Sequence, residues 1–154
     1  MDFFTPVGKY LIDRDLAIAM AAQLEEVGIR TNVQVLEWGD YSERNDQKQL
    51  SPMHIIGWYN VGDAEFAMVW YSTKSGRSYW ENQEFDELFS QAQATIDPAE
   101  REALFHQANE MMHENLPSVF LFQLPAIYGL SKRVEQWTPR PDEMLYLAET
   151  SLAD

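Results

Sequence analysis

A helical stripe that gives way to a strand across a single glycine confines this chain to a layered α/β fold. Ile12, Leu16, Met20, Leu24 and Val27 recur at spacings of three and four, which lays one apolar stripe along a helix that Asp13 can cap. Gly28 stands where a left-handed residue ends a helix. From Ile29 to Trp38 the pattern becomes alternation, with Ile29, Thr31, Val33 and Val35 on one face and Arg30, Asn32 and Gln34 on the other. Helix followed at once by strand, then by a second helix and strand, is the rhythm of helices laid on a sheet.

The second strand lies in the stretch that follows Pro52. The apolar run Met53-His54-Ile55-Ile56, bounded by Pro52 and Gly57, suits a buried strand. Trp58, Tyr59 and Asn60 then stand at its carboxyl end, where open α/β sheets place their ligands. Asp63 precedes Ala64-Glu65-Phe66 as a helix cap would, opening a short helix over about 63–71. Two roles are open to each of these residues. Trp58 can fill the core or line a cleft. Asp63 and Glu65 can be helix-start acids favoured by the dipole, or ligand contacts.

The remaining elements read in order. Asp40-Tyr41-Ser42-Glu43 has the form of a capping box, so a polar surface helix is expected to start there. Ser72 to Arg77 is a polar loop; Tyr79 and Trp80 beyond it are lid or packing residues. Asn82 caps a helix with the stripe Phe85, Leu88, Phe89, Ala92 and Ile96. Asp97-Pro98-Ala99-Glu100 is the strongest local signal: cap, proline at the first helical position, glutamate at the third. Its helix runs to about Asn115 with Leu104, Ala108, Met111 and Met112 inward, and Pro117 stops it. Val119 to Leu124 and Ala126 to Leu130 read as two strands, with Pro125 between them arguing for an edge. From Ser131 the pattern weakens.

Composition removes several function classes. The 154 residues carry 25 acidic and 11 basic side chains, a net charge of −14. No basic excess exists to displace counterions from nucleic acid or to meet an anionic membrane surface. With no cysteine, disulfides, thiol catalysis and Cys-based zinc sites are excluded. No stretch has the ~18–20 apolar residues of a membrane span, and the N-terminus lacks the features of a signal peptide. His106 and His113 lie two turns, roughly 10 Å, apart on one helix, too far to clamp a metal. Glu110-x-x-His113 is one half of a di-iron motif without its second copy, and reads as a surface pair. No HExxH, GxSxG, GxxxxGK[ST] or GxGxxG occurs. No catalytic residue, metal ligand or cofactor site is therefore assigned; a hydrolase using paired carboxylates is the alternative without a nominated pair.

The order of motifs carries a resemblance. Thr5-Pro6-x-Gly8-x-Tyr10 with Asp13, Gln23-Leu24-x-x-Val27-Gly28-Ile29, Glu37-Trp38-x-x-Tyr41, Gly57-Trp58, Asn82-x-Glu84-Phe85-Asp86, Asp97-Pro98-Ala99-Glu100-Arg101, Leu104-Phe105-x-x-Ala108 and Glu114-x-x-Pro117 follow one another across nearly the whole chain. This resembles the C-terminal third of the family 5 extracytoplasmic solute-binding proteins of peptide and nickel ABC importers. The resemblance implies a layered α/β lobe of a periplasmic binding protein, type II-like, with a mixed sheet flanked by helices. Residues 1–133 would form the ligand-binding lobe, and 134–154 a tail returning to a larger second lobe. It implies a small peptide or peptide-like solute held between two lobes, a membrane permease as partner, no cofactor, and a periplasmic or membrane-anchored extracellular location. The signal would lie in a preceding part of the longer protein. A ligand sensor without transport is the alternative use of such a lobe. In dipeptide and oligopeptide binders of the family, an aspartate three residues after the strand-end tryptophan receives the ligand's amino group; here that position is Val61. The run Gly62-Asp63-Ala64-Glu65-Phe66-Ala67 is closer to glutathione-binding members. The implied ligand contacts are Trp58, Tyr59, Asn60, Val61, Asp63 and Glu65.

Overall fold

A computed structural model describes residues 1–58 and 62–153. Its sheet is built on a strand that the sequence reading did not include. β1 (Asp2–Val7) is the central strand of a three-stranded parallel sheet with order β2-β1-β3, between β2 (Asn32–Glu37) and β3 (Met53–His54). Phe3 and Thr5 are fully buried in it. Pro6 has no N–H to offer a ladder, which normally bars proline from a central strand. Here Phe4 faces β3, accepting a bond from Ile55 N at 3.0 Å, and Pro6 faces the same side two residues later. The ladder between β1 and β3 covers only Phe3 and Phe4, so Pro6 lies beyond it and no donor is missed.

α1 (Asp13–Glu26) ends as expected, with Gly28 at φ +86° and the Ile29 N–H bonded back to Leu24. Its start differs. Asp13 is the first helical residue, and its buried carboxylate accepts from the N–H groups of Lys9 and Tyr10 at 3.0 and 3.1 Å. It holds the preceding turn with one oxygen, while the other accepts from the Arg14 N–H at 2.8 Å in the first turn of α1. Leu16, Met20 and Leu24 are partly buried, but Ile12 and Val27 at the ends of the expected stripe are exposed. β2 begins at Asn32, later than the alternation suggests, and ends before Trp38.

α2 (Trp38–Asp46) starts at Trp38, two residues ahead of the expected cap. Asp40 makes an i,i+4 pair with Arg44 at 2.8 Å, and α2 buries Tyr41 and Asn45, so it is not a purely surface helix. Tyr41 packs with Phe4 and Leu50 into the core beneath the sheet, with Leu36, Trp38 and Ile56 around them.

α3 (Ala64–Met68) is capped by Asp63, whose carboxylate accepts from Glu65 N at 2.9 Å, and a turn of 3-10 helix over Val69–Tyr71 continues it. Asn82 caps α4 (Gln83–Ala94), and Asp97 caps α5 (Pro98–Asn115) through the Ala99 and Glu100 N–H groups. The two helices pack into the second core. Phe85, Phe89 and Ala92 meet Phe105, Ala108 and Met112 there, with Met68 of α3 alongside. Ile96 does not join the stripe: Thr95 leaves the helix in an extended conformation, and Ile96 is 95% exposed.

The two strands expected over 119–124 and 126–130 do not form. That segment has no ladder, and Val119, Phe120, Phe122, Ile127 and Leu130 stay exposed. An apolar run becomes a strand only where an edge receives it. Further on, β4 (Val134–Glu135) and β5 (Ser151–Leu152) pair with each other as a small antiparallel ribbon. Among the described residues no helix is long and apolar enough to cross a membrane.

Candidate functional site

All three strands of the sheet run parallel, so their carboxyl ends open on one edge. Each end delivers aromatic side chains there. Past β1, Gly8 at φ +76° begins the turn wrapped around the Asp13 carboxylate, which presents Lys9 and Tyr10. Past β2 comes Trp38. Past β3 come Gly57 and Trp58.

These groups touch in sequence. The Tyr10 ring meets Trp38 edge-on with centroids 6.2 Å apart, and Trp38 stacks on Tyr41 at 5.8 Å. The Lys9 ammonium sits 4.6 Å from the centroid of the Trp38 ring. The Tyr10 hydroxyl donates to the Gly57 carbonyl at 3.0 Å, and the Tyr41 hydroxyl donates to the Ile55 carbonyl. The strand end that carries Trp58 is therefore held by two phenols from two other elements. Burial raises both phenol pKa values above the ordinary tyrosine range, so both remain proton donors at neutral pH. A side chain at position 57 would meet the Tyr10 ring, since a Cβ there falls 3.0 Å from Tyr10 Cε1. Gly57 is what lets the phenol approach its carbonyl.

Trp58 is half-buried, and its indole lies flat on Trp70 with centroids 4.4 Å apart and planes 5° from parallel. The Arg77 guanidinium stands 5.2 Å from the Trp70 ring centroid, itself paired with Asp46 at 2.5 Å. Trp58 thus belongs to neither core cluster; it is braced by a second indole at the edge. Tyr59, Asn60 and Val61 lie outside the described residues.

The two acids that follow face an arginine. Arg101 of α5 donates to both Asp63 oxygens, at 2.8 and 3.1 Å, and to Glu65 at 3.1 Å. Gln93 donates to the other Glu65 oxygen at 2.8 Å. Hydrogen bonds from Arg101, then the Glu65 N–H, hold the Asp63 carboxyl below its ordinary pKa. A depressed carboxylate contributes fully above the ordinary range, about 3.9, and that contribution is lost as pH falls through the lower folded value. A shallow open depression of about 730 Å³ lies beside this pair, bordered by Asp63, Met68, Ile96, Arg101 and Phe105; Trp58 does not line it.

The histidines have structural surroundings. His54 is largely buried against Tyr79, with ring centroids 4.9 Å apart, and burial lowers its pKa. His106 approaches Glu102 one turn away at 3.7 Å, with both exposed. Among the described residues no group of three potential metal ligands occurs.

Sequence reasoning nominated Trp58 but not the groups that position it. Tyr10 entered as a motif marker, Trp38 as a strand end and motif marker, and Trp70 and Arg77 were given no part in the site. The signal available was positional, since Tyr10 and Trp38 each follow the carboxyl end of a strand.

A parallel sheet with helices is an α/β fold, and comparison with solved structures matches it to lobes of periplasmic binding proteins. The oligopeptide-binding protein AppA of Bacillus subtilis, solved with a nonapeptide, superposes with a TM-score of 0.77 at 19% identity, over 99% of this chain and 31% of that one. A dipeptide-binding protein from Pseudoalteromonas, solved with Met-Leu, gives 0.74 at 22% identity, over 99% and 32%. No family model matches the chain. Its curated relatives include the heme-binding protein A of Haemophilus influenzae, 28% identical over 132 residues, which are 82% of this chain and 24% of the relative. The dipeptide-binding protein of Escherichia coli is 26% identical over 135 residues, 83% of this chain and 25% of the relative. The glutathione-binding protein GsiB of the same species is 26% identical over 132 residues, 78% and 26%. The chain is thus related to the family 5 solute-binding proteins, as its motif order implies, and spans about a quarter of the length of the curated relatives it matches. These relatives are binding proteins, not enzymes.

Proposed function

We propose that this chain is the C-terminal α/β lobe of an extracytoplasmic solute-binding component of an ABC importer, and that it forms one wall of a cleft for a small peptide or peptide-like solute. The observation that carries the reading is the gathering of Tyr10, Trp38, Gly57 and Trp58 on the carboxyl edge of a parallel sheet, where α/β folds hold ligands. In this reading Trp58 and Tyr59 are apolar walls, Asn60 bonds ligand amides, and Val61 removes the carboxylate that would otherwise take a ligand's amino group. Asp63 and Glu65 act from the rim, already neutralised in part by Arg101. The lobe binds and does not turn over its ligand. The working location is the periplasm, or the outer face of the membrane by way of an anchor elsewhere in the protein, and the partner is a membrane permease.

In this reading residues 1–133 are the lobe and 134–154 return to a larger second lobe. The exposed apolar run through Phe120, Phe122, Leu124 and Ile127 supports a covering second lobe, because full burial of such a side chain gains about 1.5–3 kcal/mol and these are still 42–78% exposed. Two lobes closing by a hinge would supply the opposite wall.

Calorimetric titration tests the proposal. Di- and tripeptides should bind the two-lobed protein tightly and the 154-residue chain at least about a hundredfold more weakly, since half the contacts are absent. Equal tight binding by both, or none by the two-lobed protein, would overturn it.

A further inference from the structure

We infer that Trp70 is the positioning residue for the Trp58 indole and acts on a bound solute only through it; the inference rests on the proposed binding role of Trp58. The Tyr10 hydroxyl holds the Gly57 carbonyl at 3.0 Å, which fixes the backbone where it leaves β3. That tie leaves the two side-chain torsions of Trp58 open, because an anchored neighbouring carbonyl does not choose a rotamer. Trp58 belongs to neither buried cluster, so core packing does not choose one either. The contact that does is Trp70, whose ring centroid is 4.4 Å from that of Trp58 and whose plane is 5° from parallel. Trp70 is placed from the other half of the molecule. It sits on the turn of 3-10 helix Val69–Tyr71, directly after the buried Met68. Val69 and Tyr71 pack against the helix-pair core, while Trp70 between them meets Trp58 and the Arg77 guanidinium, 5.2 Å from its centroid. Arg77 is tied in turn to Asp46 of α2. A large apolar side chain flanked by two core-packed residues, and itself outside the core, has its packing at the sheet edge.

The consequence is orientation. Two flat rings in contact fix a plane, and an indole held in one plane before the solute arrives spares binding the cost of ordering it. Leucine at position 70 fills space beside Trp58 but imposes no plane. Phenylalanine imposes one with less area. The strength of an aromatic pair sets the scale of the effect at about two- to tenfold in affinity.

A double-mutant cycle tests the inference. In the two-lobed protein, Trp70→Leu should weaken di- or tripeptide binding about fivefold, and Trp70→Phe should restore most of the loss. In a Trp58→Ala background, Trp70→Leu should change affinity less than about twofold, because no indole is left to position. A residue that merely supported the fold would weaken binding equally in both backgrounds. Affinity of Trp70→Leu within about twofold of wild type overturns the inference. An equal loss in the Trp58→Ala background overturns it as well, since Trp70 would then support the fold or touch the solute itself. A second readout needs no ligand. 5-Fluorotryptophan labelling of the 154-residue chain, with Trp58→Phe to assign the signal, gives a fluorine resonance for the Trp58 indole. In Trp70→Leu that resonance should move into the narrow range of the urea-unfolded chain, and in Trp70→Phe it should stay dispersed. A resonance that stays dispersed in Trp70→Leu means that Trp58 is held without Trp70, and overturns the inference. If the unmutated two-lobed protein binds no peptide, the proposed function fails, while the fluorine signal still decides the role of Trp70.

Discussion

Phe85→Ala should be the most destabilising single substitution of those the fold suggests, costing about 3–5 kcal/mol. Phe85 has no exposed surface, stacks on Phe89 with centroids 5.8 Å apart, and meets Trp80 at 5.0 Å. It sits where α4, α5 and α3 converge, and removing its ring leaves a void that neighbours such as Met68 and Met112 can fill only in part. Domains of this size are stable by only about 5–15 kcal/mol, so the loss is a large share of the whole. Phe66→Ala is the matched control: Phe66 is 53% exposed on α3, and its removal should stay within about 0.5 kcal/mol. Urea unfolding followed by circular dichroism measures both. A Phe85→Ala midpoint indistinguishable from that of Phe66→Ala would mean that the helix-pair core is misassigned.

Trp58→Ala should have the largest effect on binding with little effect on stability. Its stack on Trp70 is worth about 0.5–1.5 kcal/mol beyond area burial, and Trp58 lies outside both buried clusters. In the proposed cleft it would be an aromatic wall and should behave as a hot spot, costing about 2–4 kcal/mol of binding, or roughly 30-fold to 1,000-fold in affinity. Trp58→Phe should recover part of that, since a smaller ring can still stack on Trp70. Peptide titration of the two-lobed protein, alongside thermal melts, separates the two effects. Wild-type affinity in Trp58→Ala would remove the indole from the site.

What could be read in advance follows from how local the controlling physics is. The caps at Asp63, Asn82 and Asp97 depend on a side chain and an N–H two or three residues away, and all three form as expected. Gly28 ends α1 for the same kind of reason. β1 was not assigned from the sequence; it carries Pro6, which argues against a central strand, and only the early departure of β3 makes it acceptable. The runs after Pro117 have strand-like composition but no edge to receive them, which composition does not show. The turn after Val7 depended on Asp13 reaching backward to Lys9 and Tyr10, where the sequence pattern pointed forward into a helix.

The candidate site divides along the same line. Gly57 and Trp58 stood out because they end an apolar run, a signal carried within a few residues. Their supports come from far along the chain: Tyr10 is 47 residues from Gly57, and Arg101 is 38 from Asp63. Such pairings are set by sheet order and helix packing and leave no mark in local spacing. Asp63 shows both at once, since its capping role was legible and its arginine partner was not.

The most direct measurement is a crystal structure of the two-lobed protein with a bound di- or tripeptide. The account predicts the peptide at the carboxyl edge of the sheet, within about 4 Å of the Trp58 indole, with Tyr10 and Trp38 bordering the same cleft. A peptide seated away from that edge, with the Trp58–Trp70 stack turned from it, would contradict the account.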